Sequence, residues 1–210
     1  MEKVTRIAGI AAPMMIDNID TDAIAPTQML HDAAADFGHL LFGMWRYSDK
    51  AGTAERADFV LNREPYRRAR ILLAGVNFGC GSSREHAVWA LMGFGIKSVI
   101  APSFSDIFYD NAFKNGLLAI ALPRETIDPI AAAVEAGHEG REMTVDLESC
   151  TITTSTGATI AFPIDPARRT ALLEGLDEIG LTLTAGDAIT AFQQRDRTAR
   201  PWIYDADFHA

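Results

Sequence analysis

The apolar residues of this chain fall into short runs that predict β-strands, and segments with helical spacing lie between those runs. The runs that predict strands are 71–76, 98–102, 117–122 and 158–164. Each is a few residues long, rich in aliphatic residues and bounded by polar residues, Gly or Pro. Alternating apolar and polar residues over 143–164, interrupted at Thr156-Gly157, also predict a β-hairpin.

Helices are predicted where apolar residues recur on one face between start and stop signals. In 85–95, Val88, Leu91 and Met92 share a face, and glycines end the segment. The other predicted helices are 106–116, begun by Ser105 and ended by Gly116, and then 128–137, 165–175 and 185–195. The strand–helix–strand order over 71–122 predicts a βαβ unit. We therefore expect an α/β fold with a ligand crevice at the carboxyl ends of parallel strands.

Composition limits the classes of protein to consider. With 210 residues, 48% of them hydrophobic, the chain can bury a core as one domain or as one domain with an appendage. No stretch approaches the roughly 18 uncharged apolar residues that a membrane helix requires, so we expect a soluble, cytoplasmic protein with no membrane partner. The apolar run near the N-terminus is interpreted as a first strand rather than as a signal peptide.

The net charge and the number of cysteines limit which partners and cofactors are possible. The formal net charge of −9 argues against a nucleic-acid partner, because phosphate binding requires a basic face. The two cysteines, Cys80 and Cys150, form no disulfide framework and favour a reducing compartment. Two thiols also cannot hold a cubane iron–sulfur cluster by themselves.

The stretch NFGCGSSREHA, residues 77–87, follows a predicted strand and opens a predicted helix. Its glycines permit a sharp turn and a close approach of a ligand to the backbone. A helix N-terminus favours an anion, and the guanidinium of Arg84 matches a carboxylate. The stretch lacks the third glycine of a dinucleotide fingerprint and the Gly-x-Ser-x-Gly elbow of a hydrolase. It therefore predicts a site for a small anionic substrate.

A structural explanation of the same residues stays open. Ser82 and Glu85 have the spacing of a capping box, in which Ser82 would accept from the N–H of Glu85 and Glu85 would reach back. Cys80 has the character of a small buried residue rather than a nucleophile, and His86 that of a structural residue at the helix start.

A second polar stretch, DNIDTDAIAP at residues 17–26, resembles the first half of a calcium loop. Asn18, Asp20 and Asp22 have the required spacing, but Ala23 replaces the necessary glycine and Met29 stands where the bidentate Glu should be. Calcium is therefore excluded. The two remaining interpretations are an Asx-rich turn before a helix and a carboxylate that orients something in the crevice.

Four segments in one order along the chain carry a family resemblance. They are Asn18-Ile-Asp-Thr-Asp-Ala23, Phe78-Gly-Cys-Gly-Ser-Ser-Arg-Glu-His-Ala87, Ala101-Pro-Ser-Phe104 with Asp106-Ile-Phe-Tyr109, and Gly175-Leu-Asp-Glu-Ile-Gly-Leu-Thr-Leu183. Through them the chain closely resembles the small subunits of bacterial 3-isopropylmalate dehydratases, a family of the aconitase superfamily. Because the resemblance covers about 3–195, the expected domain is 1–195, followed by a loose C-terminal tail over 196–210.

The resemblance implies a swivelling β/β/α domain of the aconitase C-terminal type, which completes an active site on a separate large subunit. The large subunit would hold a 4Fe–4S cluster on its own cysteines, this chain would hold no metal, and Cys80 would be a turn residue. The implied activity is that of a hydro-lyase of leucine biosynthesis, active only with the large subunit. It removes water from 2-isopropylmalate, a small hydroxy-dicarboxylate, and re-adds it in the opposite sense to give 3-isopropylmalate.

The resemblance also assigns roles to residues of this sequence. Ser82 would be the catalytic base, an alkoxide that takes a proton from the substrate carbon, and Asp22 would orient a proton-carrying group. Ser83 and Arg84 would bind a substrate carboxylate, with Gly81 beside them. A serine hydroxyl is a very weak acid, so its alkoxide would need the helix N-terminus, the charge of Arg84 and loop N–H groups to stabilise it.

The preferred substrate follows from the charge of the segment 23–45. Citrate-using relatives pair a third carboxylate with an arginine shortly after the position of Asp22, whereas this chain has no Lys or Arg between Ala23 and Trp45. Apolar residues stand there instead: Met29, Leu30, Phe37, Leu40, Leu41 and Phe42. Leu30 is expected to bind the isopropyl group, although any of these residues can equally be helix core. The missing cation disfavours citrate but does not separate isopropylmalate from 2-methylmalate.

Three other functions stay open. The chain can be the small subunit of a related 2-methylmalate or homoaconitate-type hydro-lyase, or a non-catalytic anion-binding module that keeps the fold. A stand-alone serine or cysteine hydrolase is the third, and the missing nucleophile elbow argues against it.

Overall fold

A computed structural model describes residues 1–29, 36–49, 51–137, 141–154 and 156–204. The chain forms two compact units, Met1–Gly175 and Leu176–Ala210. The boundary predicted after residue 195 falls inside a helix of the second unit, and the loose tail expected beyond it stays a prediction. No helix in the described ranges is long and apolar enough to cross a membrane.

The first unit is organised around one sheet, in which the described residues form seven strands in the order β4-β3-β2-β1-β5-β6-β7. The strands are β1 (Arg6–Met14), β2 (Ala69–Ala74), β3 (Ser98–Ala101), β4 (Leu118–Ala121), β5 (Glu142–Asp146), β6 (Thr151–Thr153) and β7 (Thr159–Ala161). Strand β1 separates the parallel half of the sheet from the antiparallel half. It pairs in parallel with β2, with Ala11 opposite Ile71, and antiparallel with β5, with Ile7 opposite Val145. Strands β2, β3 and β4 continue in parallel, which confirms the predicted βαβ units.

Helices surround the parallel half of the sheet. In the first unit they are α1 (Thr21–Ile24), α2 (Phe37–Leu40), α3 (Gly43–Arg46), α4 (His86–Phe94), α5 (Asp106–Asn115), α6 (Arg124–Ala136) and α7 (Pro166–Glu174). Single 3-10 turns lie at Thr27–Met29, Val60–Asn62 and Tyr66–Arg68. The second unit contains α8 (Glu178–Leu183), α9 (Gly186–Ala199) and a 3-10 turn at Pro201–Ile203.

The core lies between the parallel strands and these helices. Every residue of β3 is buried, and so is every residue of β2 except Arg70, because strands covered on both faces need continuous apolar runs. Helix α4 buries Val88 and Leu91 in the core, as its spacing predicts, whereas Met92 of the same predicted face is half-buried. Helices α2 and α4 touch through glycine backbones, since a Cβ on Gly38 would lie 2.6 Å from the carbonyl carbon of Gly93.

Two predicted boundaries are wrong. The helix expected to begin at Asp128 begins four residues earlier, at Arg124, directly after Pro123. Pro129 therefore lies inside the helix, where it removes one backbone hydrogen bond without ending the helix. The segment 143–164 forms two hairpins rather than one. The β5–β6 turn was missed because its left-handed residue is Cys150, and because the carboxylate of Asp146 accepts from the N–H of Ser149 without any Gly or Pro signal.

Candidate active site

The glycine-rich loop 75–85 follows β2 and lies against the segment 15–22 that follows β1. The N–H of Asn18 donates to the carbonyl of Val76 (2.8 Å), and that of Thr21 donates to the carbonyl of Cys80 (2.8 Å). Between them, the N–H of Gly79 donates to the carbonyl of Ile19 (2.7 Å). The two polar stretches identified in the sequence therefore form one surface at the carboxyl ends of neighbouring parallel strands.

Gly79 is required by the course of this loop. Its φ is +75°, a region that L side chains rarely occupy, and a Cβ there would lie 2.2 Å from Cγ of Phe108. The hydroxyl of Ser105 donates to the carbonyl of Gly79 (2.7 Å) and accepts from the N–H of Phe108 (3.3 Å) at the start of α5. The residue predicted to cap α5 thus also holds the loop.

Ser82 is exposed and does not cap a helix. Helix α4 begins at His86, its N-cap is Glu85, and no side chain caps it. The carboxylate of Glu85 accepts instead from Nδ2 of Asn115 (2.7 Å) on α5. The capping-box interpretation is therefore wrong for Ser82 and Glu85, because Ser82 lies four residues before the helix, within the loop.

The side chain of Ser82 contacts Thr21, a residue that the sequence interpretation missed. Oγ of Ser82 lies 3.1 Å from Oγ1 of Thr21, and the N–H of Ser82 donates to the same oxygen (3.1 Å). Thr21 is only 1% exposed and begins α1. Its neighbour Asp20 caps α1 by accepting from the N–H of Ala23 (2.7 Å), which confirms an Asx-type turn before a helix.

Asp22 and Arg84 form an ion pair beside Ser82. Nη1 of Arg84 contacts Oδ1 of Asp22, and their side chains are 31% and 58% exposed. A pair this exposed contributes little to stability, so Arg84 can exchange Asp22 for a ligand carboxylate at small cost. The structure thus brings together two side chains that the sequence assigned separately to the site.

The remaining predicted site residues differ in how they are placed. Gly81, with φ of +98°, and Ser83 are exposed on the loop next to Ser82. The N–H groups of Ser83, Arg84 and Glu85 find no acceptor within the described ranges, so they can donate to an anion. Leu30 lies outside the described residues.

Asp17 also fixes the loop and was not singled out in the sequence. Its carboxylate accepts from the N–H of Val76 (2.9 Å) and from Nη1 of Arg124 (2.8 and 3.0 Å). These hydrogen bonds, first from Val76 and then from Arg124, lower the pKa of Asp17. Next to it, Nδ2 of Asn77 donates to Oδ1 of Asn18 (2.9 Å), and both asparagines have positive φ.

Most of the apolar residues considered for substrate binding belong to the core. Met29, Leu40, Leu41 and Phe42 are buried. Phe37 is half-buried and packs on His86 and Trp89 of α4, with ring centroids 5.9 and 5.4 Å apart.

Arg46, the first cation after this segment, is directed into the protein. It is 6% exposed, and it donates to Oδ1 of Asn62 (3.1 Å) and to the carbonyl of Gly38 (3.1 Å). Burial lowers the pKa of Arg46. The described part of the segment therefore offers no exposed Lys or Arg for a third carboxylate.

The thiols of this chain do not converge on a metal site. Sγ of Cys80 lies 3.5 Å from the carbonyl of Asn18, at the carboxyl end of β1. Cys150 lies in the β5–β6 turn, at the opposite end of β1, where Arg6 pairs with Asp146. Across the described part of the chain, no three His, Cys, Asp or Glu side chains come together as metal ligands. A cubane iron–sulfur cluster usually takes three or four thiolates, so these two separated thiols and the other donors of the described residues do not fit one.

Known protein families match nearly the whole chain. A family model for the aconitase C-terminal domain matches residues 1–125, and one for the C-terminal domain of the 3-isopropylmalate dehydratase small subunit matches 178–206. The 3-isopropylmalate dehydratase small subunit of Roseobacter denitrificans is 52% identical over 97% of this chain and 100% of its own length. The corresponding protein of Rhodospirillum centenum is 50% identical over 96% of this chain and 98% of its own length.

A solved structure agrees with these matches. The 3-isopropylmalate dehydratase structure from Methanocaldococcus jannaschii is 28% identical, with a TM-score of 0.59 over 90% of this chain and 99% of its own. Together, the sheet and the serine–arginine loop define a swivelling α/β domain of the aconitase C-terminal type. Within that class, the chain belongs to the 3-isopropylmalate dehydratase small-subunit family. The resemblance stated from the sequence is confirmed, and membership of a small-subunit family implies a large-subunit partner.

Proposed function

We propose that this chain interconverts 2-isopropylmalate and 3-isopropylmalate together with a large subunit, as a hydro-lyase of leucine biosynthesis, and that Ser82 is its catalytic base. The names of its relatives support the reaction, and none of those reported above names 2-methylmalate or homoaconitate. The observation that carries the residue assignment is the exposed hydroxyl of Ser82, which caps no helix and is available to a substrate.

In the dehydration direction, the alkoxide of Ser82 takes the proton from the substrate carbon, and the same hydroxyl returns a proton on rehydration. The groups around Ser82 favour the anion. Arg84 is two residues away. The N–H groups of Ser83, Arg84 and Glu85, which have no acceptor among the described residues, precede α4, and the N-terminal end of that helix carries a partial positive charge.

Arg84, Ser83 and Gly81 bind a carboxylate of the substrate. Arg84 leaves Asp22 and forms two parallel hydrogen bonds with that carboxylate, while the hydroxyl of Ser83 and the backbone at Gly81 lie beside it. Asp22, released from Arg84, orients a proton-carrying group of the complete site. The weak exposed ion pair is what makes this exchange inexpensive.

The iron–sulfur cluster belongs to the large subunit in this proposal, since Cys80 and Cys150 lie at opposite ends of β1. When bound, the cluster supplies Lewis-acid activation of the substrate hydroxyl and a carboxylate. The residues of this chain supply the base and the second carboxylate site. The two free cysteines suit a reducing compartment, so we place the reaction in the cytoplasm.

Exposed apolar side chains beside the loop suit the large-subunit interface. Ile16 follows β1 and is 49% exposed, and Val76 follows β2 and is 37% exposed. The backbone of Ile16 lies against that of Gly75, the neighbour of Val76, because a Cβ on Gly75 would lie 2.4 Å from the carbonyl oxygen of Ile16. A partner that covers this pair would lie against the loop that carries Ser82, where it can help to exclude water from the site.

The isopropyl group is proposed to lie against Leu30. The inward direction of Arg46 and the absence of Lys and Arg over 23–45 both disfavour a third carboxylate. Leaving such a carboxylate unpaired costs several kcal/mol, on the order of the penalty for burying a charged group without a partner.

Reconstitution tests the proposal. The chain is mixed anaerobically with a large subunit whose cluster has been rebuilt, and the ultraviolet absorbance of the unsaturated intermediate is followed after addition of 2-isopropylmalate. We expect turnover in the mixture and none in either subunit alone. The assay is repeated with 2-methylmalate and with citrate to determine the substrate specificity. If the mixture shows no turnover although the cluster is intact and the two subunits are bound, the chain is an anion-binding module rather than an enzyme subunit.

A further inference from the structure

Thr21 approaches Ser82 from the buried side of the loop. Its Oγ1 makes two contacts in the described residues, with Oγ of Ser82 and with the N–H of Ser82, both at 3.1 Å. The backbone of Thr21 is fixed at both ends. Its N–H donates to the carbonyl of Cys80 (2.8 Å), and its own carbonyl accepts from the N–H of Ala25 (3.0 Å). The hydroxyl therefore has a defined position relative to Ser82.

The protons of this pair can be counted. A threonine hydroxyl has one proton to donate and two lone pairs that accept. The N–H of Ser82 uses a lone pair of Thr21, so the single proton of Thr21 remains for Oγ of Ser82. When both hydroxyls are protonated, either can be the donor. When Ser82 is an alkoxide, only Thr21 can donate.

We infer that Thr21 is a positioning residue that donates its hydroxyl hydrogen bond to the alkoxide of Ser82. The inference rests on the proposed role of Ser82 as the base. Thr21 keeps its own proton throughout, while Ser82 gains the proton that leaves the substrate carbon. Because Thr21 is 1% exposed, water does not compete for its hydroxyl, and a hydrogen bond to an anion is stronger away from water.

The test compares three substitutions in the full complex with the large subunit. Thr21→Val keeps the shape of the side chain and removes the hydroxyl, Thr21→Ser keeps the hydroxyl, and Thr21→Ala removes it without adding a methyl in its place. The matched control is Thr170→Val, which removes an exposed hydroxyl whose partner is the carbonyl of Pro166 on α7. Binding to the large subunit and thermal melting are measured for each variant.

Loss of one donor to a catalytic oxyanion lowers kcat by roughly 100-fold, so Thr21→Val and Thr21→Ala are expected to show a loss of about that size with KM changed less than about twofold. Thr21→Ser should retain kcat within about tenfold, and Thr170→Val should match the wild type. With substrate deuterated at the carbon that loses its proton, the isotope effect on kcat should rise in Thr21→Val. A purely structural role would not change it.

Any one of three results would overturn the inference. The first is a kcat for Thr21→Val within threefold of the wild type. The second is an equal loss of kcat in Thr21→Ser, and the third is an unchanged isotope effect; either of these would assign the loss to packing. Ser82→Ala is assayed in parallel to separate the two proposals. An inactive Ser82→Ala with a normal Thr21→Val rejects the role of Thr21 alone, whereas an active Ser82→Ala rejects the base assignment.

Discussion

The guanidinium of Arg84 contacts the carboxylate of Asp22, although the two residues are 62 positions apart in the chain. Both side chains remain partly exposed, and their ion pair joins α1, which comes after β1, to the loop that follows β2. In the proposed complex, a carboxylate of the substrate would replace Asp22 as the partner of Arg84. The consequences of this arrangement can be measured.

Replacing Arg84 should weaken substrate binding and also slow turnover, because Arg84 is proposed both to bind the substrate carboxylate and to stabilise the alkoxide of Ser82. Arg84→Gln removes the charge, and Arg84→Lys keeps the charge but loses the planar fork that binds a carboxylate through two hydrogen bonds. Hydrogen bonds to charged groups contribute about 1.5–3 kcal/mol, so loss of the carboxylate contact should raise KM by roughly 10- to 150-fold, and loss of the charge beside Ser82 should lower kcat as well. Steady-state kinetics of the reconstituted complex provide the measurement.

The control for Arg84 is Arg67→Gln, which breaks an exposed ion pair with Glu55. Its kcat/KM should equal that of the wild type. If Arg84→Gln also left KM unchanged, Arg84 would not bind the substrate carboxylate.

Gly79→Ala should destabilise the fold of this chain. The alanine would occupy φ of +75°, at a cost of about 1–2 kcal/mol, and its Cβ would collide with the ring of Phe108, at a cost of about 1–3 kcal/mol. Gly157→Ala is the matched control, because φ there is +82° and no atom of the described residues lies within 4 Å of the added Cβ. Urea denaturation should show a loss at Gly79 clearly larger than the loss at Gly157. Equal losses would mean that the close packing of Gly79 on Phe108 contributes nothing.

Asp17→Asn should lower stability in a pH-dependent manner. The folded state lowers the pKa of Asp17 through the N–H of Val76 and the guanidinium of Arg124, so this carboxylate stabilises the fold above its unfolded pKa of about 4. That contribution is lost as the pH falls through the lower folded pKa. Thermal melting should therefore separate wild type from Asp17→Asn at pH 7, and the difference should shrink as the pH falls below about 4.

Asp58→Asn is the comparison for Asp17, since Asp58 is exposed and forms no ion pair with a residue in the described ranges. It should melt like the wild type at both pH values. A pH-independent effect of Asp17→Asn would mean that the charge of the Asp17 carboxylate does not contribute to stability through Val76 and Arg124.

Ile16→Glu should weaken the complex with the large subunit without unfolding the chain. Ile16 is exposed, so the substitution changes the surface rather than the core. If the pair of Ile16 and Val76 is buried in the interface, Kd should rise about tenfold or more. Thr5→Glu adds the same charge near the opposite end of β1 and should leave Kd unchanged. Calorimetric titration of the two subunits checks both, and equal Kd values for the two variants would remove this surface from the interface.

The sequence could predict what local patterns encode. The apolar runs located β2, β3 and β4, because strands buried on both faces are continuously apolar. Ser105 and Gly116 located α5, because a cap and a left-handed glycine act within one turn of the helix. The family motifs placed Ser82 and Arg84 on one loop.

Pairings between distant residues could not be predicted in this way. Thr21 contacts Ser82 across 61 positions, and Asp17 contacts Arg124 across 107. No periodic pattern records such contacts, since they follow from the order β4-β3-β2-β1 in the sheet, which brings the segments after β1, β2 and β4 to the same edge. The local spacing of Ser82 and Glu85 was misleading for the same reason. The hydroxyl of Ser82 contacts Thr21 and the carboxylate of Glu85 contacts Asn115, so neither side chain caps α4.

The most direct test of the account is the turnover number of Ser82→Ala in the reconstituted complex, measured with its melting temperature and its affinity for the large subunit. Ser82 is exposed, so the fold and the partner affinity should stay as in the wild type. Removal of a general base should lower kcat by about 100- to 10,000-fold. Activity within tenfold of the wild type, in a variant that folds and binds its partner, would contradict the account and place the base elsewhere.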